Sequence, residues 1–193
     1  MFVLCFDFLL AGQHIIYYET ACRMRHTLYN VKTQIGKTLH EMDDRKGGKK
    51  VANVFDVAKY ILEKKGTMSA MKLQKLCYYA QVWSLVWDDA PLFDEEFEAW
   101  ANGPVCRELF YKTKGKYSVS AADETGGNND LTVNEKDTID QVIEHYGKHN
   151  AQWLSQLTHM EAPWNEARTG IPAGEGCNRI ITKESMALYY GGL

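Results

Sequence analysis

Residues 158–168, with the sequence THMEAPWNEAR, contain the side chains of this chain that are best suited to chemistry. His159 and Glu161 could act as general base and general acid, because imidazole and carboxyl groups commonly transfer protons in enzymes. The same residues support a structural interpretation, in which His159 and Arg168 bind carboxylates or helix-end carbonyls while Trp164 fills a corner beside a proline break. We favour this second interpretation, since buried charged groups often specify geometry.

Two histidines and one cysteine raise further chemical possibilities. His145 and His149 are four residues apart, which is the spacing of two metal ligands on one helix face. Gly147 lies between them and no third ligand is placed, so two solvated histidines near a helix end are the expected arrangement. Cys106 stands near a predicted helix start, where a thiol pKa can fall, but we expect a plain buried thiol because no histidine is near it in sequence.

Nothing else in the sequence resembles a catalytic motif. There is no phosphate-binding loop, no nucleophile elbow and no dinucleotide-binding fingerprint. We therefore expect no catalytic residue, no metal and no cofactor.

The charge distribution is uneven along the chain. Residues 1–50 hold 8 Lys and Arg against 5 Asp and Glu, whereas residues 51–193 hold 14 against 20. The acidic larger part argues against nucleic acid binding through a broad basic face. The N-terminal apolar run is far shorter than the roughly 20 residues that span a bilayer. We expect no membrane partner.

The number and spacing of the cysteines indicate the redox state of the compartment in which the protein works. The chain has five, an odd number, and they are widely spaced without a CxxC motif. Reduced thiols in the cytoplasm are the expected state, because disulfide frameworks and zinc sites have closer and more regular spacings.

Several helices have clear start signals. The helix beginning after residue 149 is expected to turn Trp153, Leu154 and Leu157 inward. The long apolar helix beginning at residue 70 is predicted to be the central and most buried one. The predicted N-cap side chains are Asn53, Ser69, Thr132, Asn150 and Thr182, and Thr132 forms a capping box with Glu135.

Two short segments are predicted strands. Residues 96–100 alternate acids and aromatics, which suits a strand with one wet face, and residues 179–182 are the other convincing strand. Asn102 and Gly103 predict a turn, and Pro104 predicts the first turn of a helix. Since an isolated ribbon is marginal, we predict a mainly α fold: a compact helical bundle with a small two-stranded antiparallel β ribbon pairing about 96–100 with 179–182. Residues 118–130 are expected to form a mobile loop.

Three segments in this order, KLQKLCYYAQVWSL, PLFDEEFEAWANGPVCRELF and LTHMEAPWNEAR, resemble the Panacea domain family of SocA-like antitoxins, whose members are often labelled phage-associated proteins. The resemblance runs from about Asn53 to Leu193. It implies a mostly helical domain of toxin–antitoxin pairs, with no catalytic residue and no metal. The matching positions are structural or partner-binding candidates: Lys72, Leu73, Lys75, Leu76, Tyr79, Gln81, Trp100, Gly103, Pro104, His159, Pro163, Trp164 and Arg168.

The resemblance also implies a function. Members of the family neutralise toxins by binding them, and at least one type delivers its toxin to a protease. We therefore expect an antitoxin whose partner is a cognate protein toxin, encoded by an adjacent gene, with a protease as a further partner if the chain is an adaptor.

Two other functions remain open alternatives. The first is a phage-associated enzyme that uses His159 and Glu161. The second is a DNA-binding autoregulator, for which the candidate basic residues are Lys72, Lys75, Lys112, Lys114 and Lys116.

Large aromatic residues are more numerous than a core should need. Some of them are expected to be anchors for a protein partner, because aromatic side chains dominate interface hot spots. The candidates are Tyr78, Trp83, Trp87, Tyr111, Tyr117, Trp153 and Tyr189.

The sequence divides into a predicted Panacea domain, residues 51–193, and an N-terminal extension, residues 1–50. Lys46, Gly47 and Gly48 can be encoded by a strong ribosome-binding sequence, with two lysine codons as spacer before a possible start codon at Val51. We hypothesise that translation begins at Val51 and that residues 1–50 are upstream sequence. The rival is a genuine arm that folds on a toxin. The intact mass of the native protein decides between them, and a chain that carries Met1 refutes the start at Val51.

Overall fold

The computed structural model describes residues 52–123 and 131–193. The predicted extension, residues 1–50, and the predicted start at Val51 lie outside these ranges. So do residues 124–130, the second half of the predicted mobile loop.

All five predicted N-caps are confirmed, because each of these side chains accepts a hydrogen bond from a backbone N–H of the first turn. Such bonds satisfy donors that have no partner within the helix. The helices of the described residues are α1 (Val54–Lys65), α2 (Ala70–Trp87), α3 (Arg107–Thr113), α4 (Val133–Tyr146), α5 (Ala151–Met160), α6 (Ala162–Ala167) and α7 (Lys183–Gly191).

Helix α2 is the centre of the fold, as predicted. Every residue from position 73 to position 84 is buried, and α2 packs against α1, α4, α5 and α7. A helix that is buried on all sides must satisfy its polar side chains inside the protein. No helix in the described ranges is both long and apolar enough to cross a membrane.

The predicted strand pairing is confirmed. Strand β2 (Phe97–Trp100) pairs antiparallel with β5 (Ile180–Ile181), with Phe97 opposite Ile181. The ribbon has a third strand that was not expected, β3 (Gly103–Cys106), in the order β3-β2-β5. A second small ribbon joins β1 (Met68–Ser69) to β4 (Ser118–Val119) at the start of the predicted loop. The fold is mainly α with small antiparallel sheets, as predicted.

The predicted helix start at Pro104 is wrong, since residues 103–106 form β3 and the helix begins at Arg107. The cause lies in α2. The Gln74 side-chain amide accepts a hydrogen bond from Cys106 N at 2.9 Å and donates one to Cys106 O at 3.1 Å. This double contact holds the backbone extended. Pro104 is tolerated because β3 is an edge strand.

The predicted inward position of Trp153 is also wrong. Trp153 is 40% exposed and stacks on His149, with ring centroids 3.6 Å apart. Leu154 is buried, together with Ser155 and Thr158. The buried face of α5 therefore includes two hydroxyl residues, which a pattern of apolar residues does not reveal.

Candidate functional site

The hairpin formed by β2 and β3 is held by side chains from α2, from α5, from α6 and from the residue that follows α6. Each of these side chains donates a hydrogen bond to a different hairpin carbonyl. The bonds run from Arg168 Nη1 to Ala99 O at 2.7 Å, from Trp164 Nε1 to Trp100 O at 3.0 Å, from Ser155 Oγ to Asn102 O at 2.9 Å, and from Lys75 Nζ to Pro104 O at 2.9 Å. We call these four donor residues the hairpin clamp.

Gly103 lies where the clamp approaches the hairpin most closely. Its φ is +94°, and a Cβ there would lie 2.6 Å from Thr158 Oγ1 and 2.8 Å from Lys75 Nζ. Both the backbone angle and the lack of space require glycine. The predicted motif positions Gly103, Pro104 and Lys75 therefore meet in one place.

Arg168 is buried and bonds to backbone carbonyls. Besides Ala99 O, it donates to Pro172 O at 3.2 Å and to Glu175 O at 2.7 Å. Its guanidinium carbon lies 5.0 Å from the centroid of the Trp164 ring. The expectation that Arg168 binds carboxylates or helix-end carbonyls is wrong in detail, because its partners are carbonyls of a strand and a loop. Arg168 thus ties the segment after α6 to the hairpin.

His159 stacks on Trp164, with ring centroids 4.1 Å apart. Burial, together with the nearby positive charges of Lys75 and Arg168, lowers the pKa of His159. A neutral imidazole therefore supports the clamp tryptophan from one side. Pro163 is buried in the first turn of α6, where a missing N–H is harmless.

Glu161 lies at the junction of α5 and α6, inside the protein. Its carboxyl group accepts a hydrogen bond from Tyr190 Oη at 2.6 Å and from Tyr79 Oη at 3.0 Å. Burial raises its pKa to about 8, although the two tyrosines act in the opposite direction. This cluster joins the central helix, the α5–α6 junction and the C-terminal helix α7.

The hypothetical acid–base pair of His159 and Glu161 is not assembled. The Glu161 carboxyl is bound to tyrosines of α2 and α7, whereas His159 lies against Trp164. No hydrogen bond joins the two side chains in the described part of the chain. Two residues close in sequence thus serve different structural contacts.

Gln81 fixes the loop between α2 and β2. Its side-chain carbonyl accepts hydrogen bonds from Leu92 N at 3.0 Å and Phe93 N at 3.2 Å, and its amide donates to Phe93 O at 3.1 Å. All three bonds are buried. The Gln81 side chain therefore supplies hydrogen-bond partners to backbone groups that have no secondary-structure partner in this irregular loop.

The remaining motif positions also have structural contacts. Lys72 donates to Gly147 O at 2.8 Å and so closes the end of α4. Trp100 is half-buried and packs edge-on against Phe110 of α3 at 4.8 Å. Leu73 and Leu76 are fully buried.

Several residues with structural roles in this region were not among the site residues predicted from the sequence. They share one property: each is a polar residue or tyrosine on a face that should be apolar. Such residues in a buried helix signal a bond to backbone or to another buried group. They are Gln74, Ser155, Thr158 and Tyr190.

The other chemical candidates are ordinary packing features. His149 stacks on Trp153, and the described ranges contain no group of three or more potential metal ligands. Burial raises the pKa of Cys106 to about 12, so this thiol is neutral at physiological pH, in keeping with the expected buried thiol.

The fold and the clamp define a class: a mainly helical domain in which a buried central helix and two shorter helices organise a β-hairpin. Residues 73–165 match the family model described as antitoxin SocA-like, Panacea domain. This match lies within the range of the resemblance seen in the sequence, and it confirms that resemblance over residues 73–165. The matched range includes the hairpin and three clamp donors, and Arg168 lies just beyond it. No curated protein and no solved structure matches the chain significantly.

The Glu161 cluster should make stability depend on pH. The folded protein keeps the Glu161 proton up to a pKa of about 8, whereas the unfolded chain loses it near 4.5. Its contribution to stability is therefore greatest below pH 4.5 and falls as pH rises towards 8, with a slope of up to about 1.4 kcal/mol per pH unit. Glu161→Gln is neutral at every pH. We expect the free energy of unfolding of Glu161→Gln, measured by urea unfolding, to rise relative to that of the wild type as the pH increases from 4.5 to 8.

Lys75 provides an opposite pH dependence on the alkaline side. Burial lowers its pKa to about 7 from 10.5, so the unfolded chain holds the proton between these values and stability rises with pH there. Lys75→Met, which has no titrating group at this position, serves as the comparison variant for this window.

For Glu161, a difference in the free energy of unfolding between Glu161→Gln and wild type that stays constant from pH 4.5 to 8 would contradict the protonated buried carboxyl.

Proposed function

We propose that this protein is an antitoxin that neutralises a cognate protein toxin by direct contact, with the toxin encoded by an adjacent gene. The Panacea family match supports this function. The motif positions support it too, because they build a rigid hairpin and a bonded core, which is what a contact surface needs behind it.

One observation carries the proposal most strongly. In the described residues, two of the groups that could do chemistry, Lys75 and Glu161, are buried, and each is hydrogen-bonded within the domain. A substrate has no direct access to such groups. Function through surface contact is therefore favoured over function through catalysis.

A second mode is compatible with the same contact. An antitoxin that holds its toxin on one face can present the complex to a protease with another. We propose delivery to a protease as an additional role, to be tested by toxin lifetime in cells with and without the chain.

The DNA-binding alternative loses two of its five basic candidates. Lys75 is buried on Pro104 O, and Lys72 is partly buried on Gly147 O. The basic residues left are those at positions 112, 114 and 116, which is a small positive surface on an acidic domain.

Co-expression with the product of the adjacent gene tests the antitoxin proposal. We expect the wild-type chain to restore growth, and we expect His159→Ala and Glu161→Gln to restore it equally. Glu161→Gln keeps the size and the hydrogen-bonding capacity of the buried group, so it separates chemistry from packing. The enzyme alternative gains support if either variant folds with wild-type stability and fails to restore growth.

A further inference from the structure

The segment of residues 111–117, sequence YKTKGKY, contains the two most exposed large aromatic residues of the described chain, together with three lysines. Tyr117 is 90% exposed and Tyr111 is 60% exposed. Lys112, Lys114 and Lys116 are exposed between them. We call these five residues the basic-aromatic face.

The backbone behind this face is well anchored. Tyr117 O accepts a hydrogen bond from Ala70 N, at the start of α2, at 3.2 Å. The next residue, Ser118, pairs with Ser69 in the β1–β4 ribbon. The Tyr117 side chain is therefore exposed although the main chain that carries it is fixed. A rigid aromatic side chain on a fixed backbone loses little conformational entropy when a partner covers it.

The same face is connected to the hairpin clamp. The Tyr111 ring lies 5.8 Å from Phe110, and Phe110 lies 4.8 Å from Trp100 of the hairpin. The clamp holds the backbone of Trp100 through Trp164. The packing of the clamp thus supports the helix that presents Tyr111.

The charge of this face is opposite to that of the domain. Residues 51–193 hold 14 Lys and Arg against 20 Asp and Glu, whereas residues 111–117 hold three lysines and no acid. In the described ranges, Lys112 and Lys114 make no ion pair, and Lys116 pairs with Asp123. An acidic partner is attracted here and repelled by most of the remaining surface.

We propose that the basic-aromatic face is the docking surface for an acidic face of the cognate toxin, with Tyr111 and Tyr117 as its anchors; this inference rests on the antitoxin function proposed above. A protein partner fits better than nucleic acid for two reasons. Three lysines neutralise few phosphates, and exposed tyrosines on a fixed backbone are typical protein hot spots.

The charge test uses the full chain and the purified product of the adjacent gene as the probe. Lys112→Glu/Lys114→Glu should weaken binding at least tenfold, mainly through a slower association rate at low salt. Lys65→Glu/Lys148→Glu is the matched control, because it reverses two other exposed lysines and changes the net charge by the same amount. We expect the control to bind within about twofold of wild type.

Tyr117→Ala tests the anchor separately. Because Tyr117 is 90% exposed, removal of its ring should leave the unfolding temperature unchanged while it weakens toxin binding roughly tenfold, the usual cost of a lost interface anchor.

The outcomes are distinguishable. Equal loss of binding in the two charge-reversed pairs, or wild-type binding by all three variants, overturns this docking surface and leaves the antitoxin function standing. A wild-type chain that does not bind the probe overturns both. Binding of a single-stranded DNA oligonucleotide that is lost in Lys112→Glu/Lys114→Glu, with toxin binding intact, assigns the face to nucleic acid instead.

Discussion

Gly103→Ala should lower the free energy of unfolding by about 4 kcal/mol, which is a large part of the roughly 5–15 kcal/mol of a typical domain. Two costs add. An alanine at a φ of +94° is strained, and its Cβ would meet Thr158 Oγ1 at 2.6 Å and Lys75 Nζ at 2.8 Å, which is overpacking of the interior. Urea unfolding measures the loss directly.

Gly170→Ala is the control for the backbone angle alone. Gly170 has a similar φ of +81°, and a Cβ there meets nothing within 4 Å. We expect it to lose only the strain, about 1–2 kcal/mol. If the two variants lose the same amount, the close approach of the clamp to the hairpin is not what makes Gly103 necessary.

Arg168→Ala is expected to be comparably severe, with a loss of about 3–5 kcal/mol. Arg168 donates to the carbonyls of Ala99, Pro172 and Glu175. Its removal leaves the buried Ala99 carbonyl without its donor, and the part-buried bonds to Pro172 and Glu175 are lost as well. The cavity left beside Trp164 adds to the cost. Thermal unfolding of the variant checks the expected loss.

Arg179→Ala provides a matched comparison. Arg179 also donates to backbone carbonyls, those of Ala167 and Thr169, but these bonds are exposed to water. Its loss should cost less than about 1 kcal/mol, because water replaces the missing donor. An Arg168→Ala variant no less stable than Arg179→Ala would mean that the clamp does not hold the hairpin.

Local signals in the sequence predicted much of the fold. A helix N-cap depends on residues within one turn, so Asn53, Ser69 and Thr132 could be recognised without tertiary information. The β2–β5 pairing was predicted by elimination, since residues 96–100 and 179–182 were the convincing strands and a strand needs a partner.

The errors arose where a distant contact decided the local structure. The segment after Asn102 has helix-start chemistry, but Gln74, far away in sequence, holds the backbone of Cys106 as a strand. The orientation of α5 was misjudged because Ser155 and Thr158 are buried. Hydroxyls that bond to a hairpin carbonyl or to their own helix cannot be distinguished from solvated ones by periodicity.

The motif positions were identified by resemblance, and their physical roles came only from the structure. A carbonyl of the hairpin has no sequence signal, so the donors Lys75, Trp164 and Arg168 could not be assigned to it in advance. The prediction that some large aromatic residues are partner anchors has the same limit, because the sequence does not show which of them are buried. Tyr78 and Trp83 proved to be core residues, whereas Tyr111 and Tyr117 are exposed, and composition alone does not separate the two groups.

The central claim is that the chain acts on a toxin by stoichiometric contact. The most direct measurement is a titration of the purified toxin's activity with the purified full chain, followed by the intact masses of both proteins. A binding antitoxin predicts a linear fall to zero activity near an equimolar ratio, with both masses unchanged. Complete neutralisation at a small fraction of one equivalent, or a changed toxin mass, would show catalysis and contradict this account.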